Sequence, residues 1–400
     1  RVLFRSVGYE FSNNWNAYAD VGITHFNASY PGATSAPLFD ADQWITRGVA
    51  SAAIENHYDK TDGAVSFYYN FGNHKINDGH AESAPAQTNW FRSQDALAGI
   101  SAWQSFGLFK GNTTTVGLDW QSIHGKAWNQ VIATGEDLAP MADKTETEFA
   151  GYVDFRQDIT GWLTLDFGLR ADTHSQSGLE IIPQGGLAFR LGKGELKAMV
   201  SKGFRRPSIK DMYLWRMANA ELEPERVMNY ELAFKAPAGE NVTYGVNVFY
   251  LKGDNLIQTV MIDGGPHNVN TGAVENFGAE LELRWRMSGN WNLVTNGSWL
   301  HMKNPVDATP GITAYAGVQY HKKRFAVSAG GMEVGKLYTA VGANPVTQNF
   351  FLLNLNASYQ LTDWLGIWAR GDNLLNQQYE INEGYPMPGI NFMAGLSLTL

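Results

Sequence analysis

Apolar and polar positions alternate strictly along most of the chain. In 163–171, Leu163, Leu165, Phe167, Leu169 and Ala171 interleave with Thr164, Asp166, Gly168 and Arg170. In 279–287, Ala279, Leu281, Leu283, Trp285 and Met287 interleave with Glu280, Glu282, Arg284 and Arg286. Residues 242–250 and 390–400 repeat the pattern. Successive side chains of a strand point to opposite faces, so a period of two predicts strands with one apolar and one polar face. No segment carries a comparably long helical period. About 19 strands are predicted by this rule. Their spans are 2–11, 15–29, 44–57, 64–75, 91–105, 113–125, 146–158, 162–174, 181–191, 195–203, 226–236, 242–254, 274–287, 291–303, 310–320, 324–336, 348–360, 363–373 and 389–400. Many match the roughly 9–11 residues that a tilted strand needs to cross a bilayer.

The connections alternate in length. Short ones include Ser12–Asn14, Ile159–Gly161, Gly192–Gly194, Ser288–Asn290 and Leu361–Thr362; long ones include 30–43, 76–90, 126–145, 204–225, 255–273, 337–347 and 374–388. Short turns on one rim and long loops on the other are the pattern of outer-membrane barrels. A sandwich or propeller has no reason to alternate so regularly. Four short turns carry a tryptophan at the start of the next strand: Trp15, Trp162, Trp291 and Trp364. Indoles at one fixed height predict an interfacial aromatic girdle; the alternative is that Trp simply favours strands. The fold class expected is all-β, a transmembrane antiparallel barrel.

Composition narrows the classes. Charged residues are 17% of the 400, with 42 Gly, 21 Phe, 17 Tyr and 13 Trp, too aromatic for a disordered chain. Cysteine is absent, which removes disulfides, thiolate zinc sites and cysteine nucleophiles together. The formal charge is −9 and no basic block occurs, so no nucleic-acid partner is expected. The longest apolar stretches, such as Gly48–Ile54, fall far short of the roughly 18 residues of a spanning helix, but closed barrels also span membranes. Bacterial single-chain barrels have even strand numbers, whereas the first and last predicted strands here both descend toward the short-turn rim. Residues 1–400 are therefore expected to be the C-terminal part of a barrel whose first strands, about three of a probable 22, lie upstream.

The stretch Ser201–Lys235 reads SKGFRRPSIKDMYLWRMANAELEPERVMNYELAFK. It resembles a signature of TonB-dependent outer-membrane receptors, a Gly-Phe-Arg-Ala-Pro box, an acidic-Leu-Tyr box, Asn-Pro-Asn-Leu-x-Pro-Glu and Tyr-Glu-Leu-Gly. Gly203, Phe204, Arg205, Pro207, Asp211, Tyr213, Asn219, Leu222, Pro224, Glu225, Tyr230, Glu231 and Leu232 match. Arg206 stands for Ala, Met212 for Leu, Ala220 and Glu221 for Pro-Asn, and Ala233 for Gly. Near the C-terminus, Asp372-Asn373-Leu374-Leu375-Asn376 followed by Tyr379-Glu380 is similar to a second family element, and Leu400 stands where a terminal aromatic is usual. The resemblance implies a 22-strand barrel closed by an N-terminal plug that the energiser protein TonB engages. It also implies residence in the bacterial outer membrane and import of a scarce metal chelate: ferric siderophore, cobalamin or haem. Neither a resident cofactor nor an enzymatic reaction is implied.

Two residue sets are candidates for function. Arg205, Arg206, Tyr213, Trp215, Arg216 and Met217 cluster in the loop 204–225; arginine and aromatic groups suit an anionic, planar or chelated ligand. The alternative is that they fold the loop onto the barrel mouth. Glu280, Glu282, Arg284 and Arg286 share one face of a descending strand, where they would face the plug and pair with its charges; the alternative is a wetted wall. No His lies between Phe204 and Glu225, and His80, His124, His267 and His301 are expected in or near loops. No pair shows trustworthy metal-ligand spacing, so no metal is expected. Gly330–Lys336 echoes a phosphate loop but Leu337 replaces its hydroxyl residue. His80-Ala81-Glu82 echoes a deaminase box that a cysteine-free chain leaves incomplete. A passive porin, a barrel enzyme and a glycan or peptide importer of the same family are the competing functions. The enzyme lacks a catalytic cluster.

Overall fold

The computed structural model describes residues 2–262, 264–342 and 344–399; Leu400 lies outside the described residues. The chain forms one antiparallel sheet of 19 strands, and every predicted segment coincides with one of them. It packs as two compact units.

The first unit comprises Arg1–Leu187, Val200–Met228 and Gly253–Ala273. Its strands Val2–Ser12, Trp15–Ser29, Phe39–Tyr58, Thr61–His80, Asn89–Phe106, Asn112–Val131, Ala142–Asp158 and Leu163–His174 each pair with the next along the chain. A two-residue ladder, Gly32–Ala33 with Ala36–Pro37, sits in the first long connection. The second unit comprises Ala188–Met199, Asn229–Lys252 and Val274–Leu400. There the end of Gly265–Arg286 leads into Trp291–Met302, Thr309–Lys322, Phe325–Ala340, Val346–Gln360, Leu365–Asp372 and Asn391–Leu398, again neighbour on neighbour. Strands Gly178–Leu191, Gly194–Arg205, Glu225–Ala238 and Val242–Ile262 complete the sheet.

The apolar face of each strand is exposed rather than buried, as at Val65, Phe67, Ile100 and Leu118. Such a face needs lipid to cover it. The high glycine content has a local reason. Tyr68 stands directly opposite Gly99, and Tyr152 opposite Gly117. A Cβ on either glycine would come within 2.2 Å of the tyrosine Cζ, so each aromatic lies across the neighbouring strand and covers its exposed backbone.

Two expectations are corrected. Several strands run further toward the long-loop rim than predicted, so the connections 30–43, 76–90, 126–145, 255–273 and 337–347 are shorter than expected, and 255–273 is largely a hairpin between Val242–Ile262 and Gly265–Arg286. Above the hydrocarbon both faces of a strand are wet, so apolar alternation fades while the backbone ladder continues. The Asp263-Gly264 dipeptide was the remaining turn signal, and Gly264 takes φ 76°. In consequence His267 lies within a strand and His80 ends Thr61–His80, while His124 and His301 lie in the strands predicted for them. The motif echo at Gly330–Lys336 is plain strand.

Candidate functional site

The connection after Gly194–Arg205 is held by charge at both ends. Pro207 offers no N–H to continue the ladder. Ser208 caps the short helix Ile209–Tyr213: Asp211 N–H donates to its Oγ at 3.1 Å, and its own N–H donates to Asp211 Oδ2 at 3.0 Å. This reciprocal cap, the one helix among the described residues, was absent from the strand-only sequence reading, although Ser208-x-x-Asp211 is its signal. Past the helix, Leu214 is buried with Ala127 and Ala142, with Phe91 and Tyr213 packed against them. The loop thus fills the polar side of the sheet with a small apolar plug of its own.

Arg205 grips Glu225 with both arms, Nε to Oε2 at 2.5 Å and Nη2 to Oε1 at 2.7 Å, and Asp211 lies 3.6 Å from its Nη1. Glu225 also accepts the Ile257 N–H at 2.8 Å. The bidentate fork matches guanidinium to carboxylate geometry, and it ties the first box of the signature to the third. Arg206 points the other way. Its guanidinium bonds Asp172 and donates to Ser177 Oγ at 2.7 Å, with Glu148 at 3.5 Å and the Phe204 ring 4.9 Å beneath.

Asp172 is 1% exposed and also accepts from Arg170 at 3.1 and 3.2 Å. Arg170 continues to Asp119, which takes Ser101 Oγ at 2.6 Å. Glu148 takes Gln121 at 2.9 Å, and Gln121 takes the Tyr68 hydroxyl at 3.3 Å. A chain of charge-assisted bonds therefore crosses from Thr61–His80 to the loop. Glu180 forms a second node with Arg226 and with Lys202 at 3.0 Å. Burial of such charges is tolerated because every one is paired.

The far side of the loop hangs on two asparagines that sequence reasoning missed. Asn268 Nδ2 donates to the Asp211 carbonyl at 3.1 Å, its N–H to the Met217 carbonyl at 2.8 Å, and its own carbonyl accepts Asn219 Nδ2 at 3.0 Å. Asn270 accepts the Glu223 N–H at 2.8 Å and donates to the Glu223 carbonyl at 2.9 Å. Their signal was Asn-x-Asn at strand spacing, inside a stretch read as loop.

The six loop candidates thus divide. Arg205 and Arg206 are committed to carboxylates of this chain. Tyr213 is in the apolar seat, its ring 4.8 Å from the Lys144 ammonium; burial lifts its phenol above the ordinary value and the Glu146 charge adds to this, so it stays neutral. Met217 is tied through its carbonyl, and the Arg216 guanidinium lies along Gly265. Trp215 is 47% exposed at φ 69°, 5.8 Å from the Phe91 ring and 5.1 Å from Lys210 Nζ. It is the large apolar surface the loop presents outward.

The family model described as TonB dependent receptor-like, beta-barrel, matches residues 3–374. The chain belongs to this family. Among curated proteins it is similar to an iron-regulated outer membrane virulence protein of Vibrio cholerae serotype O1, 20% identical over 322 residues, 69% of this chain and 48% of that protein. The vitamin B12 transporter BtuB of the same species is 24% identical over 280 residues, 67% of this chain and 44% of that protein. The chain spans about half the length of these relatives. Among solved structures, a copper transporter, OprC, aligns with TM-score 0.84 at 14% identity, covering 99% of this chain and 71% of that one. The siderophore receptor PirA from Acinetobacter baumannii aligns at 0.79 and 15%, covering 99% and 71%. These likenesses show the fold. This TonB-dependent receptor chain is a protein of the bacterial outer membrane, among relatives named as receptors and transporters.

The remaining candidates lie as follows. Trp15 and Trp291 open their strands, and Trp162 and Trp364 stand one residue before theirs. All four are exposed, and Trp15 Nε1 donates to the Tyr58 hydroxyl at 2.8 Å. In the second unit, Glu280 and Glu282 line a cleft of about 560 Å³ with Glu195, Lys197, Lys235 and Asn247. Glu282 pairs with Lys235 at 2.6 Å and Glu280 accepts Asn247 Nδ2 at 3.2 Å. Arg284 and Arg286 continue the same row toward the short turn and are exposed. Among the described residues no group of three or more His, Asp or Glu side chains could hold a metal ion.

Proposed function

We propose that this chain is the barrel of an active importer of a chelated metal, in the class of ferric siderophores, cobalamin and haem, powered through TonB and a plug encoded outside these residues. The observation that carries the reading is the family match over residues 3–374. The relatives named for iron regulation and vitamin B12 transport support the substrate class. In this reading the braced loop holds Trp215 at the mouth as a stacking surface for the chelate, while Arg205 and Arg206 act by fixing the loop. The row Glu280, Glu282, Arg284 and Arg286 faces the plug, and its two arginines pair with plug carboxylates. Trp15, Trp162, Trp291 and Trp364 form the interfacial girdle against the lipid bilayer.

The test is uptake by the full gene product in a receptor-deficient Gram-negative host, with and without functional TonB. Labelled ferric siderophores, haem and cobalamin are offered at nanomolar concentration. Accumulation of one chelate only when TonB works is the expected result. Flux that persists without TonB and scales with external concentration would instead identify the passive porin.

A further inference from the structure

On strands Phe39–Tyr58, Thr61–His80, Asn89–Phe106 and Asn112–Val131, four residues stand directly opposite one another in one cross-strand row: Trp44, Lys75, Arg92 and Trp128. The row faces away from the loop just described. Phe91 and Ala127, the chain neighbours of Arg92 and Trp128, pack against the Leu214 seat, so Arg92 and Trp128 point to the opposite face. Two-residue steps down the same face reach Phe67, Tyr69, Ile100, Leu118 and Trp120, all exposed. This is the lipid side. Trp44, Lys75 and Arg92 each stand 14 positions from the short-turn end of their strand (44 to 58, 61 to 75, 92 to 106). A tilted strand crosses the hydrocarbon in about 9–11 residues, so the row lies just beyond the apolar band, at the height of lipid headgroups on the long-loop side.

Two cations opposite each other on neighbouring strands repel, and neither Lys75 nor Arg92 forms an ion pair among the described residues. Lys75 Nζ is held 3.2 Å from the centroid of the Trp90 ring and 4.7 Å from that of Trp44. Indole faces steady a cation without cancelling its charge. Arg92 Nη1 donates to Gln130 at 3.2 Å. Its Nε and the Trp128 Nε1 are both buried and without a hydrogen-bond partner, an expensive state for a donor. Lys126 adds a third cation, 5.8 Å from the Trp128 ring. Asp143 is the acid nearby, 3.4 Å from Lys126 and 3.8 Å from His124.

We propose that this row binds the phosphate of an outer-leaflet lipid headgroup. A phosphate placed over the row neutralises the Lys75–Arg92 repulsion and accepts from the Lys75 ammonium and the Arg92 guanidinium. Trp44 and Trp90 meet the boundary between headgroup and acyl chains, where indoles partition, while Trp128 is buried with the Arg92 guanidinium 5.9 Å from its ring. The row faces lipid rather than the lumen, so the anion is part of a lipid and not the transported solute. The inference needs the outer-membrane location and is independent of which chelate is imported.

The full gene product, purified in detergent, is titrated with phosphatidylcholine vesicles carrying lipid A, dephosphorylated lipid A, or neither. Each cation facing an anionic lipid surface contributes on the order of a fivefold preference, so the double variant K75Q/R92Q should bind lipid A about 30-fold more weakly. Wild type should treat dephosphorylated lipid A like plain phosphatidylcholine, and inorganic phosphate alone should neither bind nor compete. Equal lipid A binding by wild type and double variant overturns the proposal, and so does saturable binding of inorganic phosphate. As a second measurement, K75Q relieves repulsion. It should melt no lower than wild type in lipid-free detergent yet lose the rise in melting temperature that lipid A confers. An equal drop with and without lipid A would mark the row as a structural cation–π stack and end the proposal.

Discussion

Replacing Arg206 by methionine isolates the contribution of the buried ion-pair network to loop order. R206M keeps an unbranched apolar stem and deletes the bonds to Asp172, to Ser177 and, at 3.5 Å, to Glu148. The Arg206 side chain is 10% exposed and that of Asp172 1%, so solvent screens this pair little. Removing one partner of a buried pair costs about 3–5 kcal/mol. Arg170 still holds Asp172 at 3.1 Å, which puts the expected cost at the lower end, about 3 kcal/mol. Arg206 opens the loop while the strands keep their backbone ladders, so the cost falls on local opening. That is somewhat over a hundredfold in the opening equilibrium. Lys210 and Arg216 provide trypsin sites inside the loop, and cleavage follows the open fraction when reclosing is fast. Trypsin should therefore cut R206M at these two residues about a hundredfold faster than wild type. The double variant D172N/R206M should be faster than R206M by less than the D172N effect alone, because both changes remove the Asp172–Arg206 pair while D172N also loosens Arg170. Cleavage of R206M within about threefold of wild type would refute the network as the loop's anchor. Additive effects in the double variant would refute the pairing itself.

Other outcomes follow from the same geometry. W215A should weaken binding of the imported chelate by about tenfold, the loss of one aromatic stacking surface, with the trypsin pattern unchanged; undiminished affinity would remove Trp215 from the ligand face. In the full gene product, R284E should weaken plug retention, read as faster release of the plug after site-specific cleavage of its linker in mild urea. Unchanged retention and unchanged uptake would return the row to a wetted wall. G99A forces a Cβ into the Tyr68 ring and should cost about 1–3 kcal/mol by overpacking, measured by urea unfolding in detergent. Y68S in the G99A background should recover most of that loss, and a G99A protein as stable as wild type would show that the ring moves freely.

Amino-acid order alone determined the strands. Period-two alternation is imposed by a sheet with lipid on one side and water on the other, so Leu163–Ala171 and Ala279–Met287 announce themselves without any tertiary knowledge. The Ser201–Lys235 signature was legible as a family resemblance, because its Gly, Pro and charged residues stand at the family's spacing. Strand ends on the long-loop side were not legible: past the hydrocarbon both faces meet water, alternation stops carrying information, and the hairpin of 255–273 looked like loop. The roles within the signature were also hidden. Arg205 and Arg206 are adjacent residues of one type, yet one is bound to Glu225 across the loop and the other to Asp172, 34 positions away along the chain. Only the sheet register brings Asp119, Glu148, Arg170 and Asp172 beneath that loop, and only register sets Lys75 against Arg92. A side chain's face is local information written every second residue; its partner across strands depends on how far each hairpin runs before it turns, which the assembled ladder alone decides.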